Sequence, residues 1–260
     1  MKIKQIRNAT IIVTYAGKKF LIDPMLGDKG IYPPFPGTHN QHLNNPTVDL
    51  PVSMEEILDV DAVIVTHIHL DHFDPAAMEI IPKNMIIFAQ NDDEARQIKE
   101  AGFKNVEVLK EEGILFGDIK LIKTPAKHYS DESIVELYRQ LNTADESCGV
   151  IFNHSEEKSL YIMGDTVWYD GIKNVLDKYT PDVVAINAGN AQFVDGRYLI
   201  MSKEDFFEAI KAAPNAKFLA THMEAVNHLM VSRKDLREYA EENGFSNRLS
   251  IPADGETCEF

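Results

Sequence analysis

The sequence predicts an α/β fold: two mixed sheets packed face to face with helices on the outside, an αβ/βα sandwich of four layers, in one domain over residues 1–260. Two observations carry this expectation. A β-rich stretch followed by alternating helices and strands occurs twice along the chain, without literal repetition, so each half brings its own strands and the helices to cover them. With 44% hydrophobic and 26% charged residues, the chain also has the composition of a protein with a sizeable core.

The first half opens on β-type runs at residues 2–7, at ATIIVTY from Ala9, and at KKFLID up to Asp23, with Ala16-Gly17 as a hairpin turn. Residues 24–52 are rich in proline and polar residues and too long for an ordinary connection, so residues 28–50 are read as a mobile cover over a site. SMEEIL follows as a helix, with Ser53 and Glu56 at capping-box spacing, and leads into the strand DAVIVTH. NMIIFA and NVEVLK read as further strands, separated by the helical DDEARQIKEAG that Gly102 ends. The second half returns to β in GDIKLIKTPAKH, GVIFNH and KSLYIMGD, with the polar residues 129–147 as a connection. It closes on a helix at 171–179, the strand DVVAIN, a helix at 203–213, the strand KFLATH and the helical RKDLREYAEENG.

Charge narrows the choice of partner. Against 41 acidic residues stand 26 Lys and Arg, a formal net charge of −15, and no basic run interrupts the excess. A polyphosphate backbone would be repelled, so a small molecule and not a nucleic acid is the expected partner. No stretch reaches the roughly 18 apolar residues of a membrane helix. The opening residues lack the apolar core of a signal peptide. Cys148 and Cys258 read as two thiols in apolar strands, and the protein is expected to be cytoplasmic. A homo-oligomer is compatible with the sequence.

The chemistry concentrates in THIHLDH, Thr66 to His72, directly after an apolar strand. In an extended strand end His67 and His69 point to the same side, with Asp71 and His72 in the turn beyond. Imidazoles and carboxylates packed this densely need polar partners, and a metal ion supplies them. His128, Asp165 and His222 each follow an apolar strand, where α/β folds place functional loops. Histidine and aspartate without a nearby cysteine suit zinc first, with manganese and iron as alternatives.

HxHxDH followed at long intervals by His, Asp and His resembles the metallo-β-lactamase superfamily over essentially the whole chain. The resemblance implies the αβ/βα sandwich of that family. It also implies two divalent metal ions: the first on His67, His69 and His128, the second on Asp71, His72 and His222, with Asp165 bridging. LIDPML, the GDT at Gly164, the TH at Thr221 and the late PADGE resemble the branch containing L-ascorbate-6-phosphate lactonase, although the sequence has no evident phosphate cradle. The expected reaction is attack of a metal-bridging hydroxide on a small ester, lactone or phosphoester, with Asp71 also passing the proton as the catalytic acid–base group. The competing readings are a phosphodiesterase or nuclease on the same fold, and a non-catalytic metal or ligand sensor.

The remaining polar residues receive ordinary expectations. Asp23 caps a turn or, less simply, orients a metal ligand. His39, His42 and His154 face solvent, and His228 either does the same or reaches the pocket. Trp168 and Tyr169 line the cleft or pack in the core, and Lys127 is solvated or meets an anionic substituent.

Overall fold

The computed structural model describes residues 1–140 and 146–260. The opening runs form the antiparallel strands β1 (Lys2–Arg7), β2 (Thr10–Tyr15) and β3 (Lys18–Ile22). Ala16 and Gly17 turn between the last two at φ 46° and 77°, the paired positive values that a tight hairpin needs. Helix α1 (Met54–Leu58) is capped by the Ser53 hydroxyl, which accepts from Glu56 N. The box is only half formed, because the Glu56 carboxylate pairs with Lys4 instead. Strands β4 (Ala62–Val65), β5 (Ile86–Ala89) and β6 (Asn105–Val108) then extend the sheet in parallel from β3. Their crossovers carry α2 (Pro75–Ile80) and α3 (Asp92–Glu100). Periodicity does not reveal α2 because it is six residues long; its signal is local, Asp74 as cap and proline in the first turn.

The second sheet begins with the antiparallel strands β7 (Ile114–Phe116), β8 (Ile119–Pro125), β9 (Cys148–His154) and β10 (Glu157–Ile162). Here the structure corrects the expectation of a plain connection at 129–147: helix α4 (Ser133–Gln140) lies within it. Residues 141–145 of that stretch lie outside the described residues. Polar neighbours mask the helix, but Ile134 and Tyr138, four apart, share its buried face with Phe193 and Ile200. Helix α5 (Asp170–Tyr179), β11 (Val183–Asn187), α6 (Lys203–Ala212), β12 (Lys217–Thr221), α7 (Arg233–Glu242) and β13 (Leu249–Ser250) complete this half in parallel alternation. The short β14 (Thr257–Glu259) crosses back to pair antiparallel with β1. The sheet orders are β14-β1-β2-β3-β4-β5-β6 and β13-β12-β11-β10-β9-β8-β7.

Both sheets are buried on two faces, and strand alternation decides which residue goes where. Ala62 and Ile64 of β4 join Phe20, Phe152 and Leu219 between the sheets, while Val63 and Val65 pack beneath α1 to α3 with Ile57 and Ile98. Val183 and Ala185 of β11 likewise face the other sheet, and Val184 and Ile186 meet Leu176, Phe206 and Leu236 of the outer helices. Phe20 and Phe152 meet edge to face across the interface at 5.1 Å. Cys148 and Cys258 belong to this inner layer and are unpaired. Among the described residues, no helix is long and apolar enough to cross a membrane.

The long segment after β3 is fastened along its length. The buried Arg7 guanidinium donates to the carbonyls of Met25, Gly27 and Val48 at 2.8, 2.9 and 3.0 Å. Asn227 accepts from Phe35 N and Asn45 Nδ2 at 3.0 and 2.9 Å and donates to His39 O and Thr38 Oγ1 at 2.6 and 2.9 Å. Against the expectation of a mobile cover over residues 28–50, these bonds fasten the segment as a wall to the loop after β12. Asn227→Ala would leave several buried partners unsatisfied, at about 2–4 kcal/mol in total. The expected result is a matching loss of unfolding free energy in urea and faster proteolysis within residues 33–46; a loss below about 0.5 kcal/mol would show that other contacts hold the wall.

Candidate metal centre

The candidate ligands stand at the carboxyl ends of four strands. Thr66 ends the run from β4, and its backbone N and hydroxyl donate to the two Asp23 carboxylate oxygens at 2.7 and 2.8 Å. Asp23 Oδ2 also lies 2.9 Å from His72 Nδ1, which turns His72 Nε2 toward the cluster. Of the two expectations for Asp23, the ligand-orienting one describes its position. The turn that carries Asp71 and His72 closes by bonds from His72 N and Phe73 N to the His69 carbonyl, each 2.9 Å. Asp74 then caps α2 and accepts from Leu26 N and Gly27 N, tying the fixed wall to this turn.

The second half supplies the rest. His128 follows β8 with its Nδ1 3.0 Å from the Leu199 carbonyl, leaving Nε2 toward the cluster, 3.2 Å from His69 Nδ1. Asp165 follows β10 through Gly164, at φ 66°, where a Cβ would lie 2.2 Å from the Cys148 carbonyl oxygen, so glycine is required there. His222 follows β12 at φ 55°, its N donating to Asn8 O at 2.9 Å. Its carbonyl would lie 2.3 Å from a Cβ on Gly189.

All seven sequence-derived ligands converge. His67, His69 and His128 form one group and Asp71, His72 and His222 another, with ligand atoms within 4.8 Å of one another in each. Asp165 stands between them: Oδ2 is 3.2 Å from His72 Nε2, 3.6 Å from His128 Nε2 and 3.9 Å from His67 Nε2, and Oδ1 is 3.7 Å from His222 Nε2. His67 Nε2 approaches His69 Nδ1 to 3.0 Å, and His72 Nε2 approaches His222 Nε2 to 3.1 Å. Imidazoles pointing nitrogens at one another repel unless a proton or a cation sits between them. Nitrogens about 2.0–2.1 Å from one tetrahedral ion stand roughly 3.3 Å apart, so these spacings fit a metal.

Electrostatics agree. Burial, reinforced by His72 and His69, holds His67 well below the usual imidazole range, and burial lowers His128 to about 4. Burial alone would raise Asp71 and Asp165, but neighbouring histidines outweigh it and hold both below the usual carboxylate range. Burial also opposes protonation of His72, yet Asp165 and Asp23 overcome it. His67 and His128, held neutral beside ionised carboxylates, are in the state that binds metal, and His72 would give up its proton to a cation that took its place.

Several supporting residues carried no signal that sequence reasoning had picked up. Asn8 Nδ2 donates to Asp71 O at 2.9 Å, and Asn187 Nδ2 donates to Asp165 Oδ1 at 2.6 Å. Glu94 is buried on α3, raised to about 7 by burial, and accepts from Ile68 N between the first two histidines. Asn187 ends a buried strand, which is a legible hint; Glu94 looks like any first-turn acid. Tyr138 of α4 packs its ring against His128 and His69 at 6.1 and 5.6 Å.

Other expected positions sort cleanly. A cavity of about 440 Å³ opens over the cluster, walled in part by Phe35, Pro36, Thr38 and His228. His228 therefore reaches the pocket; it is 5% exposed, and burial lowers it to about 4. His42 is exposed, while His39 and His154 are half-buried, and none of the three lines the cavity. Trp168 and Tyr169 pack against the outer core of the second sheet. Lys127 pairs with Glu132 at 3.2 Å and stays off the cavity wall.

The sequence profile described as "Beta-lactamase superfamily domain" matches residues 18–223. UPF0173 protein YddR of Bacillus subtilis (strain 168) is 50% identical over 261 residues, covering 100% of both chains. A UPF0173 metal-dependent hydrolase of Methanobrevibacter smithii is 22% identical over 247 residues, covering 89% of this chain and 94% of its own. Among solved structures, the isothiocyanate hydrolase from Delia radicum gut bacteria superimposes with a TM-score of 0.95 at 44% identity, covering 100% of this chain and 99% of that one. The fold, the profile and the full-length likeness agree, and the chain belongs to the metallo-β-lactamase superfamily and, within it, to the UPF0173 metal-dependent hydrolases.

Proposed function

We propose that His67, His69, Asp71, His72, His128, Asp165 and His222 hold two divalent cations, and that the chain hydrolyses a small uncharged electrophile with an apolar tail, an isothiocyanate first among them. The observation that carries this reading is the wall opposite the cluster. Phe35, Ile68, Leu70, Tyr138, Phe193 and Leu199 line it, and none of the lining residues is Lys or Arg. The cations would meet the reacting oxygen of a phosphoester, but among the described lining residues no Lys or Arg stands by to take its remaining charge, in a chain of net charge −15. Of the expected esters, lactones and phosphoesters this lining favours the neutral ones, and an isothiocyanate, which lies outside that expectation, shares their lack of charge; the same lining counts against a nuclease. The protein 44% identical over the whole chain is itself named for an isothiocyanate.

When bound, the cations would supply Lewis acidity and lower the pKa of water so that hydroxide is available near neutrality. The chain's own residues do the rest. The apolar wall seats the tail and keeps bulk water away from the reacting carbon. Asp71, on the cavity and 3.3 Å from His222 Nε2, takes the proton released by water and delivers it to the substrate nitrogen. The sum is R–N=C=S with one water: a carbon–oxygen bond forms, the carbon–nitrogen π pair takes the first proton on nitrogen, and the resulting thiocarbamic acid passes its acidic proton to the same nitrogen as the carbon–nitrogen σ bond breaks, leaving R–NH₂ and carbonyl sulfide. Asp23 and Asn187 hold His72 and Asp165 in line throughout.

Two outcomes are expected. Protein isolated without chelator should carry two divalent ions per chain by elemental analysis and convert benzyl isothiocyanate to benzylamine, while Asp165→Ala loses metal and about a hundredfold or more in rate. One ion in fully active protein would overturn the binuclear reading, and turnover of phosphodiesters but not of isothiocyanates or uncharged esters would overturn the substrate class. Asp23→Asn should keep the fold by circular dichroism yet weaken metal affinity about 10–100-fold in chelator competition, because its carboxylate orients His72.

A further inference from the structure

His228 is a sixth imidazole at the centre, outside the ligand groups. It lines the same cavity as Asp71 and Asp165 and is 5% exposed. The Phe35 ring meets its own edge-on at 4.6 Å. Its backbone is clamped on both sides: Gln192 N donates to the His228 carbonyl at 3.0 Å, and the neighbouring Asn227 is bonded into the wall by both side-chain atoms. The backbone that carries the ring is thus fixed, and Phe35 packs against one edge of it.

Its Nδ1 is enclosed and has no hydrogen-bond partner. A neutral imidazole carries one N–H and one lone pair, and an enclosed N–H without an acceptor is the rarer and costlier arrangement. The proton therefore belongs on Nε2. Among the described residues that line the cavity, no other side chain outside the metal cluster carries an N–H: the polar ones left are the hydroxyls of Tyr138 and Thr38, the latter given to the Phe35 carbonyl at 2.6 Å.

We infer that His228 is a catalytic residue that donates an Nε2–H hydrogen bond to the substrate heteroatom on which negative charge builds as the carbon–oxygen bond forms. This rests on the hydrolase reading above but not on the isothiocyanate. The bond transfers no proton, so the balance of the hydrolysis is unchanged. In an isothiocyanate the acceptor is the nitrogen or sulfur flanking the attacked carbon; in an ester it is the carbonyl oxygen. A preorganised donor of this kind in a water-poor site is worth about 10²–10³ in rate.

The experiment compares wild type with His228→Phe, His228→Ala and His228→Gln on benzyl isothiocyanate and on phenyl acetate, with metal content measured for each. For Phe and Ala, kcat should fall about a hundredfold or more while KM changes less than about threefold and both metals are retained; Gln, which restores an N–H, should recover at least a tenth of the wild-type rate. Unchanged kcat, or loss of activity together with loss of metal, overturns the proposal. If wild type turns over only phenyl acetate, the isothiocyanate reading falls and the same ratios on the ester judge His228. If it turns over neither, long-range ¹H–¹⁵N spectra of the zinc-loaded protein decide, with His228 assigned by its disappearance in His228→Gln: a protonated Nε2 and bare Nδ1 are expected, and the reverse tautomer overturns the donor role.

Discussion

The structure is organised around the cost of burying ionisable groups. His67, His72, His128, His222, Asp71 and Asp165 are all less than a tenth exposed, and Asp23 lies buried behind them. Charges so far from water are tolerated only when opposite charge and hydrogen bonds surround them. That requirement explains the supporting cast: Asn8 on the Asp71 carbonyl, Asn187 on Asp165 and the Leu199 carbonyl on His128. It also explains why glycine is needed at 164, where the chain squeezes past Cys148 to deliver a carboxylate.

The four-layer sandwich is what makes the convergence geometrically cheap. Parallel strands flanked by helices present all their carboxyl ends on one edge, and two such sheets face to face bring two edges together. The first sheet contributes His67, His69, Asp71 and His72 from a single turn after β4. The second contributes His128, Asp165 and His222 from three strand ends. The wall comes from the long connection after β3, and Arg7 and Asn227 hold it from opposite ends of the chain.

Much of this was legible in the sequence for a physical reason. The buried strands are uninterrupted apolar runs, and His128, Asp165 and His222 follow three of them; that place alone does not select them, since His154 ends a strand too, but with THIHLDH they complete a ligand set. Helix α2 and strands β7 and β13 were not legible, because two to six residues are too few for periodicity to register, while β14 showed only as the apolar context of Cys258. Helix α4 was hidden by its polar face, although Ile134 and Tyr138 stand four apart. Glu94 and Asn8 were hidden more deeply: they act through Ile68 N and Asp71 O, and contacts of a side chain with distant backbone leave no pattern along the chain. His228 was readable as an alternative only, since six residues beyond His222 it could have turned either way.

The bond network that seats His222 has a consequence for how the molecule is made. The Thr221 hydroxyl lies 3.0 Å from the carbonyl of Asn8, 213 residues earlier in the chain. At ribosomal speeds that interval lasts roughly 10–40 s. For the later part of it Asp71 and His72 are already polymerised while His222, 150 residues beyond His72, is not, and for much of that time Asp165 is missing too. The nascent first sheet must therefore keep its polar turn hydrated until the last strands arrive. The burial that defines the finished centre is a late event of synthesis.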